Sequence, residues 1–295
     1  MPGQITGPRQ YDNWRPLALV VATILVHLVA SLSAVFAFEF WPWLLAIVFM
    51  NHVVLATLGL SPRNCWLCTN LICLPADAVA RNEIALTFDD GPDPDVTPRV
   101  LAILDQFQVK ATFFCIGRQA ARYPEICRAI IQRGHMIENH TQHHRHTFSF
   151  LGTTGYIREI QSAQETLKQI TGSTPCYFRA PAGFHNIFLS MALRSLQLHL
   201  VSWSVRSFDT CIRDVERIKV KLLNGLRPGA ILLLHDGNGA RTLEQQPAII
   251  SVLPALLLAA KEAGLHFVTL RHACTHHQTS GMAVSDCCQS TPITD

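Results

Sequence analysis

Two adjacent carboxylates, Asp89 and Asp90, stand in the stretch TFDDGPD, directly after a short apolar run and before a Gly-Pro pair. Like charges side by side repel each other, so we expect a nearby cation to accompany the pair. Further along the chain, NHTQHHRH places His140 and His144 four residues apart. Residues at this spacing share one face of a helix, and the pattern predicts two imidazoles that converge on one metal ion.

Two histidines and one carboxylate form a ligand set that suits Zn²⁺ and leaves coordination positions open for water and substrate. One of the paired aspartates would complete this set, and the other would serve as a general base. A bound cation offsets the repulsion between the carboxylates and lowers the pKa of a coordinated water towards about 7. The sequence therefore predicts a divalent-metal site, with zinc favoured and other divalent ions as alternatives.

Three more polar residues follow apolar runs and fit the same chemistry. Arg179, in FRAPAG, can hold the base through a charge-assisted hydrogen bond. His235, in LLLHDG, can protonate a leaving group, and Asp209 can orient or charge that histidine. The alternatives are a surface ion pair for Arg179, a strand-end cap for His235 and a turn residue for Asp209. Water activation with one base and one acid indicates hydrolysis of an amide or an ester.

The elements that must position these residues are short apolar runs alternating with longer amphipathic stretches, which predicts a parallel sheet. The predicted strands are 84–88, 112–115, 136–138, 177–178, 198–203, 231–234 and 266–270. The predicted helices are 97–106, 118–133, 155–170, 187–196, 214–223 and 247–263. The polar residues named above lie just past the strands. In a parallel barrel the carboxyl ends of all strands lie at one face, so residues that follow several strands meet there. This favours an α/β barrel over a doubly wound sheet.

A separate apolar region precedes this part of the chain. Segments 16–38 and 43–60 contain no charged residue and are long enough to cross a bilayer, which predicts a transmembrane helical hairpin. A signal peptide cut after Ala37 is the alternative for the first segment, and a buried or interfacial helix is the alternative for the second. Arginines 9 and 15 precede the hairpin and arginines 63 and 81 follow it, with none between. This distribution favours the cytoplasmic side for the catalytic domain.

The resulting domain prediction has five parts: an N-terminal segment (1–15), the hairpin (16–61), a connector (62–80), a catalytic domain (81–271) and a disordered tail (272–295). The tail contains His and Cys residues but lacks apolar periodicity. A net charge of +3 with scattered basic residues argues against nucleic acid as a partner, and the hairpin makes the lipid bilayer a predicted partner. No pattern in the sequence indicates an oligomeric state.

Five motifs occur in order between about residues 81 and 270: TFDDGP, HTQHH, RAPAG, SFDT and LLLHD. With them the chain resembles the polysaccharide deacetylase family, the NodB-homology group. The resemblance implies a distorted (β/α) barrel of the NodB-homology type and a metal-dependent hydrolase that removes N-acetyl groups from amino sugars. On the matching positions it implies Asp89 as the base, Arg179 as its orienting partner, and His235 as the acid supported by Asp209. It further implies Asp90, His140 and His144 as metal ligands, and Leu233, Ala182 and Pro181 around the acetyl group.

The chain departs from the family pattern in two motifs. The fourth motif of the family reads Asp-x-x-Asp-Trp, whereas here Arg206 replaces the first aspartate and Thr210 replaces the tryptophan. Ala182 stands where the third motif carries a bulkier residue. These changes alter the wall that would hold a long sugar chain, and with the hairpin they favour a lipid-linked or other cell-envelope amino sugar. The alternatives are a non-catalytic, membrane-anchored glycan-binding relative and an amidase of the same fold that acts on a non-sugar amide.

Overall fold

The structure is a computed structural model that describes residues 18–36 and 38–275. The predicted N-terminal segment and nearly all of the predicted tail lie outside the described residues. Two helices come first, α1 (Ala18–Phe36) and α2 (Trp41–Gly59), with a short 3-10 turn between them. Both are long and apolar enough to cross a membrane, and almost none of their residues are buried. The Thr23 hydroxyl donates a hydrogen bond to the Asn51 side chain and joins the two helices.

The rest of the described chain alternates strands and helices. The strands are β1 (Asn70–Leu71), β2 (Glu83–Asp89), β3 (Thr112–Cys115), β4 (Met136–Asn139), β5 (Tyr177–Phe178), β6 (His199–Val201), β7 (Val205–Arg206), β8 (Ile231–His235) and β9 (His266–Val268). The helices are α3 (Ala76–Ala80), α4 (Val96–Gln106), α5 (Gly117–Arg122), α6 (Pro124–Gln132), α7 (Thr153–Thr171), α8 (Leu189–Ser195), α9 (Val215–Asn224), α10 (Ala248–Glu262) and α11 (Leu270–Thr275).

The strands form one curled sheet in which each pairing is parallel. Its order is β1-β6-β5-β4-β3-β2-β8-β7, and β9 also pairs with β2. The predicted α/β barrel is therefore confirmed in the form of a curled half-barrel, with β2 near its middle. Because the strands are parallel, their carboxyl ends lie together at one end of the sheet.

Strand β2 shows how the apolar pattern positions the polar residues. Ile84, Leu86 and Phe88 belong to the large core between the sheet and the outer helices. Alternate residues of a strand face opposite sides. Ala85, Thr87 and Asp89 therefore face the inside of the curl, where Ala85 packs with a second, smaller apolar cluster. This inner cluster fills the curl below Asp89, so the carboxylate lies at the mouth of a packed interior.

Two features differ from the sequence-based expectation. The single helix predicted over 118–133 is divided into α5 and α6 at Tyr123, because Pro124 has no N–H to donate and instead begins the second helix. Strands β1 and β7 are absent from the sequence-based prediction, because β1 lies within the predicted connector and β7 lies just after the predicted strand 198–203. Strand β1 and helix α3 lie within the predicted connector 62–80, so that stretch contributes to the sheet. The domain boundaries themselves stay a prediction.

Candidate active site

Asp90, His140 and His144 come together at the carboxyl ends of β2 and β4. The Asp90 Oδ1 atom lies 3.2 Å from His140 Nε2 and 3.1 Å from His144 Nε2. The potential ligand atoms of the three residues all lie within 4.8 Å of one another. The structure thus brings the three predicted metal ligands to one point.

The prediction that a helix carries the two histidines is wrong. His140 follows β4 and His144 lies in a loop, with the backbone in the left-handed region at Thr141 (φ +65°) and again at His144 (φ +51°). The left-handed backbone at these two residues turns the chain, so the imidazoles converge across a turn. The loop is held by a hydrogen bond of 2.9 Å from the His144 N–H to the Thr141 hydroxyl.

The three side chains fit a divalent cation. The His140 Nδ1 atom lies 2.8 Å from the Arg179 carbonyl oxygen, which can only accept, so Nδ1 carries the proton and Nε2 keeps a lone pair directed at Asp90. With both Nε2 atoms free of a proton, the buried Asp90 Oδ1 atom has no hydrogen-bond partner among the described residues. When no cation is bound and the two imidazoles are protonated at Nε2, burial raises the pKa of Asp90, but the hydrogen bonds and charge of the imidazoles outweigh burial and hold that pKa well below its usual range. The cluster presents one anionic oxygen and two nitrogens towards a common point.

Asp89 is held by the predicted partner, Arg179. The Arg179 Nη1 atom donates to Asp89 Oδ1 at 2.7 Å and to the Thr87 hydroxyl at 2.8 Å. The other carboxylate oxygen, Oδ2, lies 3.9 Å from His140 Nε2, too far for a direct hydrogen bond. One oxygen of Asp89 is therefore occupied by the guanidinium, and the other faces the metal-ligand cluster.

Arg179 is fully buried, which excludes the surface ion pair that the sequence left open. Its Nε and Nη2 atoms donate to the carbonyl oxygens of Val201 and Ser202, at 3.2 and 2.8 Å. Its guanidinium carbon lies 4.1 Å from the centre of the Phe114 ring. A guanidinium fixed by hydrogen bonds on several sides holds Asp89 in a single orientation.

His235 ends β8 and pairs with Asp209, as predicted. The His235 Nδ1 atom lies 2.6 Å from Asp209 Oδ1, and the His235 backbone N–H donates to Asp209 Oδ2 at 2.9 Å. The Ser207 hydroxyl donates to the same carboxylate at 2.5 Å. Burial disfavours the imidazolium, but Asp209 outweighs burial through its charge and hydrogen bond and, with help from Asp89, raises the pKa of His235 to about 9. Because Asp209 occupies Nδ1, the proton available to a substrate is the one on Nε2.

This pair predicts a pH dependence. A raised pKa means that His235 is protonated below about 9 and loses its proton as the pH rises through that value. The Asp209→Asn variant removes the charge that raises the pKa, so we expect the alkaline limb of the kcat profile to move down by about one to three pH units. The control is Asp214→Asn, which changes the capping residue of α9 and should leave the limb in place. An unmoved alkaline limb in Asp209→Asn would assign that limb to a different acid.

Asp236 was missed by sequence reasoning although it directly follows His235. It is buried, and the Thr97 hydroxyl donates to its Oδ2 atom at 2.6 Å. Burial is the main cause that raises its pKa to about 7. A side chain at Gly91 would collide with the Asp236 carboxylate, and one at Gly237 would collide with the Asp90 carbonyl oxygen. The glycines of DDGP and HDG therefore let the loops after β2 and β8 pack together. The glycine that follows aspartate in each motif is the sequence signal that could have indicated this contact.

The three predicted pocket residues lie on β8 and in the turn that follows β5. Leu233 is buried on the inner face of β8, in register with Thr87 of β2. Pro181 is buried, whereas Ala182 is exposed in a 3-10 turn with φ +54°. The adjacent Gly183 leaves no room for a side chain against the Trp203 ring. The acetyl-binding role of these residues stays a prediction.

Comparison with known proteins agrees with this geometry. Residues 76–201 match the family model described as polysaccharide deacetylase. The chain is 34% and 35% identical to two peptidoglycan-N-acetylglucosamine deacetylases of Bacillus cereus, over 64% and 65% of its own length and 66% and 89% of theirs. It is 40% identical to a chitooligosaccharide deacetylase of Azorhizobium caulinodans, over 53% of its own length and 75% of the relative's.

Solved structures show the same fold. A crystal structure of a peptidoglycan N-acetylglucosamine deacetylase superimposes with a TM-score of 0.63 and 29% identity, covering 69% of this chain and 92% of the other. A family 4 acetyl xylan esterase from Clostridium thermocellum, in complex with a cobalt ion, superimposes with a TM-score of 0.60 and 28% identity, covering 68% and 93%.

Proposed function

The chain belongs to the polysaccharide deacetylase family, and we propose that it hydrolyses the N-acetyl group of an amino sugar in a cell-envelope glycan, with Zn²⁺ held by Asp90, His140 and His144. The observation that carries this proposal is the meeting, at one end of the sheet, of a metal-ligand cluster, an oriented carboxylate and a charged histidine. Family membership makes the chain a hydrolase of carbohydrate amides, and the complete set of groups supports catalysis by this member.

Each residue of the site has its own role in the proposed reaction. A cation at the Asp90 cluster supplies Lewis-acid polarisation of the acyl carbonyl and lowers the pKa of water. Asp89 accepts the proton of the attacking water through Oδ2, since Arg179 occupies Oδ1. Arg179 also holds the Asp89 carboxylate in one orientation, because its Nη1 atom donates a hydrogen bond to Oδ1.

His235 acts at the later proton transfer. When the C–N bond breaks, the departing sugar amine needs a proton, and His235 Nε2 is the donor whose charge Asp209 stabilises. Asp89 and His235 lie opposite each other in the register of β2 and β8, on neighbouring strands. Their side chains therefore face the same side of the sheet and can both reach one bound amide, and acetate and a free amine are the products.

Neither alternative gains support from a described contact. A glycan-binding relative without activity has no need for the buried Arg179–Asp89 pair or for a hydrogen-bonded imidazolium, and both are present. An amidase for non-sugar substrates would use the same groups. It differs only in substrate, which the experiment below tests directly.

The two N-terminal helices support a membrane-bound enzyme. We propose that α1 and α2 form an anchor, because their apolar side chains are exposed and α2 is joined directly to the catalytic part. The His185 N–H donates to the Gly59 carbonyl oxygen at 3.2 Å, and the Asn64 side chain donates to the Leu58 carbonyl oxygen at 2.8 Å. The arginine distribution favours the cytoplasmic side for the site. A site this close to the bilayer fits a lipid-linked amino sugar better than a distant polymer.

One fractionation experiment tests activity and location together. Membranes from cells that produce the full chain should release acetate from lipid-linked N-acetylglucosamine and, more slowly, from N-acetylglucosamine oligomers. The activity should stay in the pellet after a high-salt wash and enter the supernatant only with detergent. Salt screens charge–charge attraction, whereas two apolar helices would be held by burial in the bilayer.

The possible outcomes separate the proposals. Activity that the salt wash removes would leave the deacetylase in place and overturn the anchor. Cleavage of an N-acetylated amine without sugar, in preference to every sugar, would establish the amidase. Membranes that carry the protein but release no acetate from any of these substrates would overturn the proposed reaction.

A further inference from the structure

Arg206 is a cation on the same inner face as the catalytic groups. It ends β7 in register with Leu233 of β8, and Leu233 is in turn in register with Thr87 of β2. Residues in register on parallel strands point to the same side of the sheet. The preceding residue, Val205, belongs to the outer core, as alternation requires. Arg206 therefore faces the inside of the curl, level with the residues just below Asp89 and His235.

Two aromatic rings flank this guanidinium. Its central carbon lies 5.5 Å from the centre of the Trp203 ring and 4.8 Å from the centre of the Phe208 ring. Aromatic faces attract a cation but use few of its N–H donors. Phe208 adopts φ +60°, an uncommon conformation for an aromatic residue, and is 39% exposed. The Lys221 Nζ atom lies 5.0 Å from the same ring, which adds a second positive charge beside Arg206.

Arg206 also lacks the charge partner that the other inner-face cations have. Arg179 pairs with Asp89, and His235 pairs with Asp209. Within residues 18–36 and 38–275, no carboxylate makes an ion pair with Arg206, and its Nε atom is buried without a hydrogen-bond partner. The side chain is half-buried, so solvent and ligands can reach it. A desolvated N–H without an acceptor costs stability, and an anionic ligand would remove that cost.

We propose that the Arg206 guanidinium binds an anionic substituent, a phosphate or a carboxylate, on the sugar that carries the acyl amide or on its immediate neighbour. This inference rests on the proposed function, because it defines the substrate class of the same site. A guanidinium presents N–H donors in a planar fork that matches two oxygens of either anion. Trp203 links this subsite to the predicted acetyl pocket, because its ring packs against Gly183 beside Ala182.

The test measures binding of defined sugars to the full chain in detergent. The Asp89→Asn background prevents turnover, and a chelator removes any cation to which an anion could bind instead. Ligand-observed NMR compares N-acetylglucosamine with N-acetylglucosamine 1-phosphate and with N-acetylmuramic acid, which carries a carboxylate. We expect the protein that retains Arg206 to bind at least one charged sugar more tightly than the neutral sugar. Arg206→Gln should weaken binding of that charged sugar by about ten- to a hundredfold. The phosphate and carboxylate arms identify which anion the site takes.

Three controls make the outcome decisive. Arg206→Lys keeps the charge but loses the fork, so it should retain part of the preference. Arg128→Gln removes the same charge from an exposed position on α6 and should have no effect. Binding of the neutral sugar reports whether each variant is folded. Absence of any preference for the charged sugars, or an equal loss of charged and neutral sugars in Arg206→Gln, would overturn the inference. A preserved preference, together with no deacetylation of any of these sugars by the unaltered chain supplied with Zn²⁺, would overturn the proposed function alone.

Discussion

Replacing Asp89 with asparagine should lower the rate of acetate release by about 10² to 10⁴-fold, the range expected for loss of a general base. Asparagine keeps the shape of the side chain and can still accept from Arg179, but it cannot take a proton from water at neutral pH. Because Asp89 Oδ1 is bonded to the buried guanidinium and only Oδ2 faces the ligand cluster, the loss should appear in kcat more than in KM. The measurement is steady-state acetate release together with metal content.

Metal content and a control variant show whether the lower rate comes from loss of the base. The metal content of Asp89→Asn should match that of the unaltered chain, because Asp90, His140 and His144 supply the ligands in our assignment. Asp105→Asn is the matched control, since Asp105 is an exposed residue of α4 whose carboxylate pairs with Arg133. A rate in Asp89→Asn close to that of the control would remove Asp89 from proton transfer. Loss of the metal in Asp89→Asn would instead exchange the roles of the two aspartates.

The sheet could be predicted from the sequence because its strands are dense apolar runs. In β2, every second residue belongs to the outer core, and the strand ends where the pattern gives way to two aspartates. The same logic identified β8 and placed His235 at its end. Strands buried on both faces must be apolar until they reach the mouth of the curl. Polar residues just past such runs are therefore reliable markers of the site.

The loops could not be predicted in the same way. The spacing of His140 and His144 indicated a shared target, but it suggested a helix where the chain forms a turn with left-handed residues at positions 141 and 144. Conformations of this kind depend on contacts distant in sequence, here the bond from His140 to the Arg179 carbonyl oxygen. Burial of Arg179 and the contact between Gly91 and Asp236 likewise arise only when separate strands meet. Motif spacing thus identified which residues converge, and tertiary packing determined how.

No pattern in the sequence indicated the contact between the segment after α2 and the site. Residues 61–70 follow α2 directly, and the Pro62 carbonyl oxygen accepts hydrogen bonds from Asn70 and from Ser202. The carbonyl oxygen of that same Ser202 accepts from Arg179. A hydrogen-bonded chain therefore runs from the end of α2 to the group that orients Asp89. Helix α2 and Asp89 are thus connected through hydrogen bonds, so insertions after Gly59 should be poorly tolerated compared with insertions in exposed loops.

Removing the divalent cation should abolish activity, by about three orders of magnitude or more, because a Lewis acid at this position contributes several kcal/mol to the barrier. Exhaustive dialysis of the full chain against a chelator should give an inactive, folded protein, and added Zn²⁺ should restore it. His140→Ala and His144→Ala should each stay inactive after Zn²⁺ is added and should contain less than one ion per chain by elemental analysis. The two imidazoles are needed together because Asp90 contributes one buried oxygen to the cluster.

The chain provides its own control in the same loop. His143 lies next to His144, but its ring bonds to Glu159 at 2.9 Å and is partly exposed, so it points away from the cluster. His143→Ala should therefore keep one ion per chain and nearly full activity, although it removes an imidazole from the same motif. Active protein that contains no metal and resists chelators would contradict the ligand assignment, and so would equal metal loss in His143→Ala and His144→Ala. HTQHH contains three histidines that could each coordinate a metal, and a selective loss at positions 140 and 144 would support the choice that their four-residue spacing predicts.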